Sequence, residues 1–103
     1  MTQVAFSDGF RSVRIAGHSG YSEEGSDIVC AAISAMANYF CNAAESFGAK
    51  AEVRTDEEKG ILSWKLLAPC SEAVRLAEAL CREVEELEKQ YPRYVRVINS
   101  ERE

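Results

Sequence analysis

Two residues with chemistry near neutral pH stand twelve positions apart, the only histidine, His18, and the first of four cysteines, Cys30. An imidazole that takes the proton of a thiol produces a thiolate able to attack a carbonyl carbon, the pairing on which nucleophilic acyl transfer rests. His18 falls where a strand-like pattern ends and the stretch GHSGYSEEGS, residues 17 to 26, begins. That stretch has neither helical nor strand periodicity and reads as a loop that could act as lid or clamp. Cys30 falls in the first turn of a helix that Ser26 or Asp27 can cap, where the positive end of the helix dipole favours a thiolate. Backbone N–H groups at such a start, including that of Cys30, can also receive a developing oxyanion.

A plainer reading of the same residues stands beside this one. A cysteine in a helix rich in alanine, isoleucine and valine is by base rate a small buried hydrophobe, and a lone histidine near glycines is usually a loop residue. On the residues alone the plainer reading carries more weight, and it holds for Cys41, Cys70 and Cys81. Ser34, one turn below Cys30, is either a hydroxyl that supports the site or a small residue that admits a close neighbour. Asp27 reads first as a cap and second as a third catalytic member. Tyr21, Glu23 and Glu24 suit substrate contact and a solvated loop equally.

Other chemistries fall away. One histidine excludes HExxH and two-histidine metal sites, the cysteine spacing contains no CxxC pair, and neither metal nor cofactor is expected. Cys30 and Cys41, like Cys70 and Cys81, are eleven residues apart. On a helix that spacing separates them by about 16 Å, too far for a disulfide. The glycines of residues 17 to 25 match neither the Walker nor the dinucleotide spacing.

The elements that must position His18 and Cys30 can be read from periodicity. Val4 and Phe6, then Val13 and Ile15, alternate with polar neighbours around Asp8-Gly9, which reads as a hairpin. A two-residue turn would set Ser7 against Phe10, Val4 against Val13 and Thr2 against Ile15. The first helix runs from the cap to about Phe47, with Gly48 as its stop. Its apolar residues, among them Ile28, Ile33, Met36, Tyr39, Phe40 and Phe47, cover most of its circumference, so it should be largely buried. Cys30, Ser34, Asn38, Cys41 and Glu45 form its remaining stripe. Ala51 to Thr55 and Leu62 to Leu66 read as a second hairpin with a longer turn. Pro69 and Ser71 introduce a second helix, one face of which is strongly charged, and Pro92 ends it before a strand from Tyr94 to Ile98. The expected architecture is therefore α+β, a single ββαββαβ domain over residues 1–103 with a mixed sheet and two helices.

Composition bounds the partners. Seventeen acidic against twelve basic residues give a net charge of −5, which disfavours direct nucleic-acid binding and makes basic peptides the more natural partners. No stretch reaches the roughly 20 apolar residues of a membrane span, so no membrane association is expected. The opening MTQVAFSDGF has neither a basic nor an apolar leader region, so the chain reads as cytoplasmic, with reduced cysteines.

The stretch GHSGYSEEGSDIVCAAIS resembles the signature of the ribosomal-processing cysteine protease family, called Prp or YsxB-like, roughly GHA, a variable loop, then G-x-DIVCAAVS. Chain length, element order and the ending YPRYVRV also look like that family. The resemblance implies a catalytic dyad on His18 and Cys30, with Gly17, Asp27 and Ser34 at motif positions that shape the site. Ser19 departs from the alanine more common there and sets a hydroxyl beside the base. It further implies a compact α+β fold, usually homodimeric, and a substrate, the N-terminal extension of bacterial large-subunit ribosomal protein 27, cut after a pair of phenylalanines. The competing functions are a ribosome-assembly module that binds the same ribosomal protein without cutting it, and a thiol-redox protein using Cys30, for which no resolving cysteine lies close in sequence.

Overall fold

A computed structural model describes residues 1–18 and 27–101. Ser19, Tyr21, Glu23, Glu24 and Ser26, together with most of the expected loop, lie outside the described residues. The elements are β1 (Thr2–Ser7), β2 (Ser12–Ala16), α1 (Ile28–Ser46), β3 (Ala51–Asp56), β4 (Ile61–Leu66), α2 (Ser71–Gln90) and β5 (Val95–Asn99), the expected ββαββαβ order. They build one mixed sheet in the order β3-β4-β2-β1-β5. Only the β1–β5 contact is parallel. Each helix therefore connects strands that are parallel but not adjacent.

The first hairpin departs from the expected register by two residues. Ser7 faces Ser12, Phe6 faces Val13 and Val4 faces Ile15. The connection is Asp8 to Arg11, with Asp8, Gly9 and Phe10 all left-handed at φ 55°, 62° and 62°. A left-handed phenylalanine costs on the order of 1–2 kcal/mol. The reason it is tolerated lies in side-chain parity: in a continuous strand Phe10 would share the outer face of Ser12 and Arg14, whereas the wider loop turns its ring onto Phe6, with centroids 6.0 Å apart. Arg11 closes the loop, its backbone N–H donating to the Asp8 carbonyl at 3.1 Å and its guanidinium to the Asp8 carboxylate at 3.1 Å. Because strand faces repeat every two residues, the shift leaves Val4, Phe6, Val13 and Ile15 together on the core face.

That face continues through Trp64 and Leu66 of β4 and Val95 of β5, and both helices cover it. From α1 come Val29, Ile33, Ala37, Phe40 and Ala44, spaced four, four, three and four apart. From α2 come Ala73, Ala77, Leu80, Cys81 and Val84. The Phe40 and Trp64 rings meet edge to face at 4.7 Å, joining α1 to the sheet through two large aromatic side chains.

The expectation that α1 is largely buried is corrected. One stripe is buried, while Ile28, Tyr39 and Phe47 are 55%, 73% and 57% exposed. The sheet lies under one side of α1 and α2 packs against a second, and among the described residues nothing covers its outer side. At its ends the helix agrees with the sequence: Asp27 is the N-cap, and Gly48, at φ 80°, stands just beyond the C-cap Phe47. Truncating Phe40 to alanine should cost about 3–5 kcal/mol in denaturant unfolding, against less than about 0.5 kcal/mol for Lys89→Ala on the exposed face of α2.

Candidate functional site

The site is built where β2 ends. Gly17 adopts φ +91°, and a Cβ placed there would lie 2.7 Å from the Met1 carbonyl oxygen, so only glycine lets the chain pass the start of β1 so closely. Two hydrogen bonds fix it. Thr2 Oγ1 donates to the Gly17 carbonyl at 3.2 Å, and the Gly17 N–H donates to the Gly60 carbonyl at 3.0 Å. The next residue, His18, is thereby presented at the sheet end with its ring against Gly60. A Cβ on Gly60 would lie 3.1 Å from both Cε1 and Nε2 of His18.

Gly60 belongs to the β3–β4 turn and is itself left-handed at φ +64°. The turn is pinned by the Lys59 N–H to the Asp56 carboxylate at 3.1 Å and by the Gly60 N–H to the Glu57 carbonyl at 3.3 Å. Sequence reasoning places this segment as a hairpin turn and misses that it forms a wall of the site. The signal is the turn glycine after DEEK, but only the β2–β4 pairing brings it beneath the histidine.

Cys30 arrives from the other side. The Asp27 carboxylate oxygen Oδ1 accepts from the N–H groups of both Val29 and Cys30 at 2.9 Å. Asp27 is only 8% exposed, so this cap is held away from water, where such hydrogen bonds are strongest. The cap is the first of the two roles expected of Asp27. The same bond corrects a second expectation: the Cys30 N–H is engaged by Asp27 rather than offered to an oxyanion.

His18 and Cys30 line one cleft of about 310 Å³, with Ser34 and Asn38 farther along α1 and Thr55 and Glu57 on the opposite wall. Ile15, Ile33 and Leu62 form its apolar floor. The structure thus brings Gly17, His18, Cys30 and Ser34 together, sets Asp27 behind Cys30 as its support, and leaves Ser19 outside the described residues. The remaining cysteines sit elsewhere. Burial pushes the Cys41 thiol up, which keeps it protonated. Cys81 is buried between the helix and β5, where Asn99 Nδ2 donates to its sulfur at 3.6 Å. Cys70 holds the N-cap position of α2, with its thiol 3.7 Å from a Glu72 carboxylate oxygen.

The contact between Gly60 and the imidazole makes a direct test. Gly60→Ala should destabilise the fold by about 1–2 kcal/mol through its left-handed backbone, and should also displace the His18 ring, moving its Hε1 NMR resonance. An unmoved resonance would show that the ring does not rest on this turn.

The family model described as cysteine protease Prp matches residues 1–96. No curated protein matches significantly. Among solved structures, the essential ribosomal processing protease Prp from S. aureus, in complex with a covalently linked product peptide, superposes with a TM-score of 0.84 at 21% identity over 96% of this chain and 97% of that one. The same protease with a substrate peptide gives 0.79 at 20% identity, covering 96% and 97%. SMU.848 from Streptococcus mutans gives 0.76 at 26% identity, covering 96% and 93%. With a family match spanning nearly the whole chain, and a histidine and a cysteine facing one cleft, this chain belongs to the cysteine protease Prp family.

Proposed function

We propose that this protease removes the N-terminal extension of bacterial large-subunit ribosomal protein 27 during ribosome maturation, with His18 and Cys30 as its catalytic dyad. The observation that carries the reading is the common cleft of these two side chains, the only histidine and the one cysteine at the start of α1. His18 takes the Cys30 proton, and the thiolate attacks the scissile carbonyl carbon. The tetrahedral intermediate collapses to a thioester as the protonated imidazole gives its proton to the leaving amine. Water, deprotonated by His18, then opens the thioester and restores the thiol. With the Cys30 N–H bound to Asp27, the Ser34 hydroxyl and the Asn38 amide are the side-chain donors on the α1 wall of this cleft.

The net charge of −5 suits a basic ribosomal substrate. Among the described residues no helix is long and apolar enough to cross a membrane, in keeping with the cytoplasmic compartment where ribosomes mature. A homodimer is supported by the side of α1 that no other described residue covers: Met36, Tyr39 and Phe40 with Leu76, Ala79 and Leu80 of α2 line an open apolar hollow of about 330 Å³.

A peptide spanning the extension junction of the host ribosomal protein 27 should be cut by the purified chain, with Cys30→Ala and His18→Ala each reducing kcat by at least about a thousandfold and leaving the circular dichroism spectrum unchanged. Full activity in Cys30→Ala would end the proposal, and binding without any mass change would instead make the chain a ribosome-assembly module. In sedimentation equilibrium the wild type should weigh twice the chain mass and Tyr39→Glu once. A wild-type monomer would remove the dimer.

A further inference from the structure

The two edges of the sheet are treated differently. At β5 the outward Val97 N–H donates to the Glu88 carboxylate at 2.9 Å, so α2 closes that edge. β3 is the other edge, and its residues Glu52 to Asp56 are all exposed. The Leu67 N–H donates to the Lys50 carbonyl at 2.8 Å. Hydrogen-bonded pairs alternate along an antiparallel ladder, so with Ala51 opposite Leu66 the residues that bond inward to β4 are Glu52, Arg54 and Asp56. Ala51, Val53 and Thr55 therefore point both N–H and C=O away from the sheet.

This edge runs beside the stripe of α1 that the apolar pattern leaves unexplained. Thr55 and Asp56 line the His18–Cys30 cleft together with Ser34 and Asn38. Ala51 and Val53 line a second hollow, of about 430 Å³, together with Cys41 and Glu45. The two hollows share no lining residue but follow one another between the edge strand and the helix stripe, a groove in two parts whose end nearest Thr55 holds the proposed site of cleavage. Ala51 to Thr55 covers about 13 Å of strand at about 3.3 Å per residue.

We propose that the polypeptide substrate docks as a sixth strand on the outer edge of β3, held by the N–H and C=O groups of Ala51, Val53 and Thr55. The proposal rests on the dyad reading and adds how the chain is led to it. Main-chain bonds to an edge hold any extended segment, while alternate side chains enter the groove. The stripe along α1 presents the short side chains Ser34, Asn38 and Cys41 over Val53 and Thr55, leaving room for those of the substrate. Continuity of the edge with the cleft selects a peptide substrate over a second copy of the sheet, because a second copy would lay its own strand across the cleft.

Val53→Pro removes one outward N–H without breaking a bond to β4, a placement edge strands accept. It should lower kcat/KM for the ribosomal junction peptide at least about tenfold, with the rate of Cys30 alkylation by iodoacetamide unchanged. Wild-type values of kcat/KM would overturn the docking mode. Amide hydrogen exchange on Cys30→Ala with the same peptide supplies a reading independent of cleavage and of how Val53→Pro folds. Ala51, Val53 and Thr55 should gain protection while Glu52 and Arg54 do not change. No gain at those three amides would sink the proposal, whether or not the wild type cuts. Loss of the dyad reading is recognised separately, by cleavage that survives Cys30→Ala.

Discussion

The peptide of Gly17 is the point on which the site depends. It is held by β1 through the Thr2 hydroxyl and by the β3–β4 turn through the Gly60 carbonyl, so three separate segments meet at one residue. Its left-handed backbone and its 2.7 Å approach to the Met1 carbonyl exclude any side chain. Fixing Gly17 aims its C-terminal neighbour, and that neighbour is the single histidine. The β2–β4 ladder that carries this contact also contributes core residues, Val13 opposite Trp64 and Ile15 opposite Leu62. Core packing and the placement of His18 are consequences of the same register.

Cys30 is placed by an independent device. Asp27 caps two N–H groups with one buried carboxylate oxygen, which fixes where α1 starts and so the height of the third helical residue above the sheet. The helix then serves two ends through adjacent stripes. Val29, Ile33, Ala37, Phe40 and Ala44 anchor it to the sheet, while Cys30, Ser34, Asn38, Cys41 and Glu45 border open space along β3. A helix apolar all round would have closed that groove, and the Phe40–Trp64 contact helps to set its distance from the sheet.

Much of this is legible in the residues. Alternation places every strand to within a residue or two, the three-and-four spacing places both helices, and the Asp27 cap and the Gly48 stop are visible as residue types. The motif around His18 and Cys30 carries the family. The part that is not legible is long-range. The first hairpin comes out two residues off because Asp8-Gly9 signals a tight turn, whereas Phe10 gains contact with Phe6 only in a wider one. The partnership of Gly60 with His18 depends on which strands pair, a property of the whole sheet. Helix burial is overestimated because an apolar helix surface does not say whether a second element of the same chain is there to cover it. The Cys30 N–H looks available because first-turn N–H groups are usually unpaired, and it is the cap, itself correctly expected, that engages it.

If His18 and Cys30 act as a pair across the cleft, the reactivity of the thiol must depend on the imidazole. The alkylation rate of Cys30 by iodoacetamide at pH 7, read by peptide mass spectrometry, should fall at least about tenfold in His18→Ala while the modification of Cys70 is unaffected. Equal Cys30 rates in the two proteins would show that the imidazole does not activate the thiol.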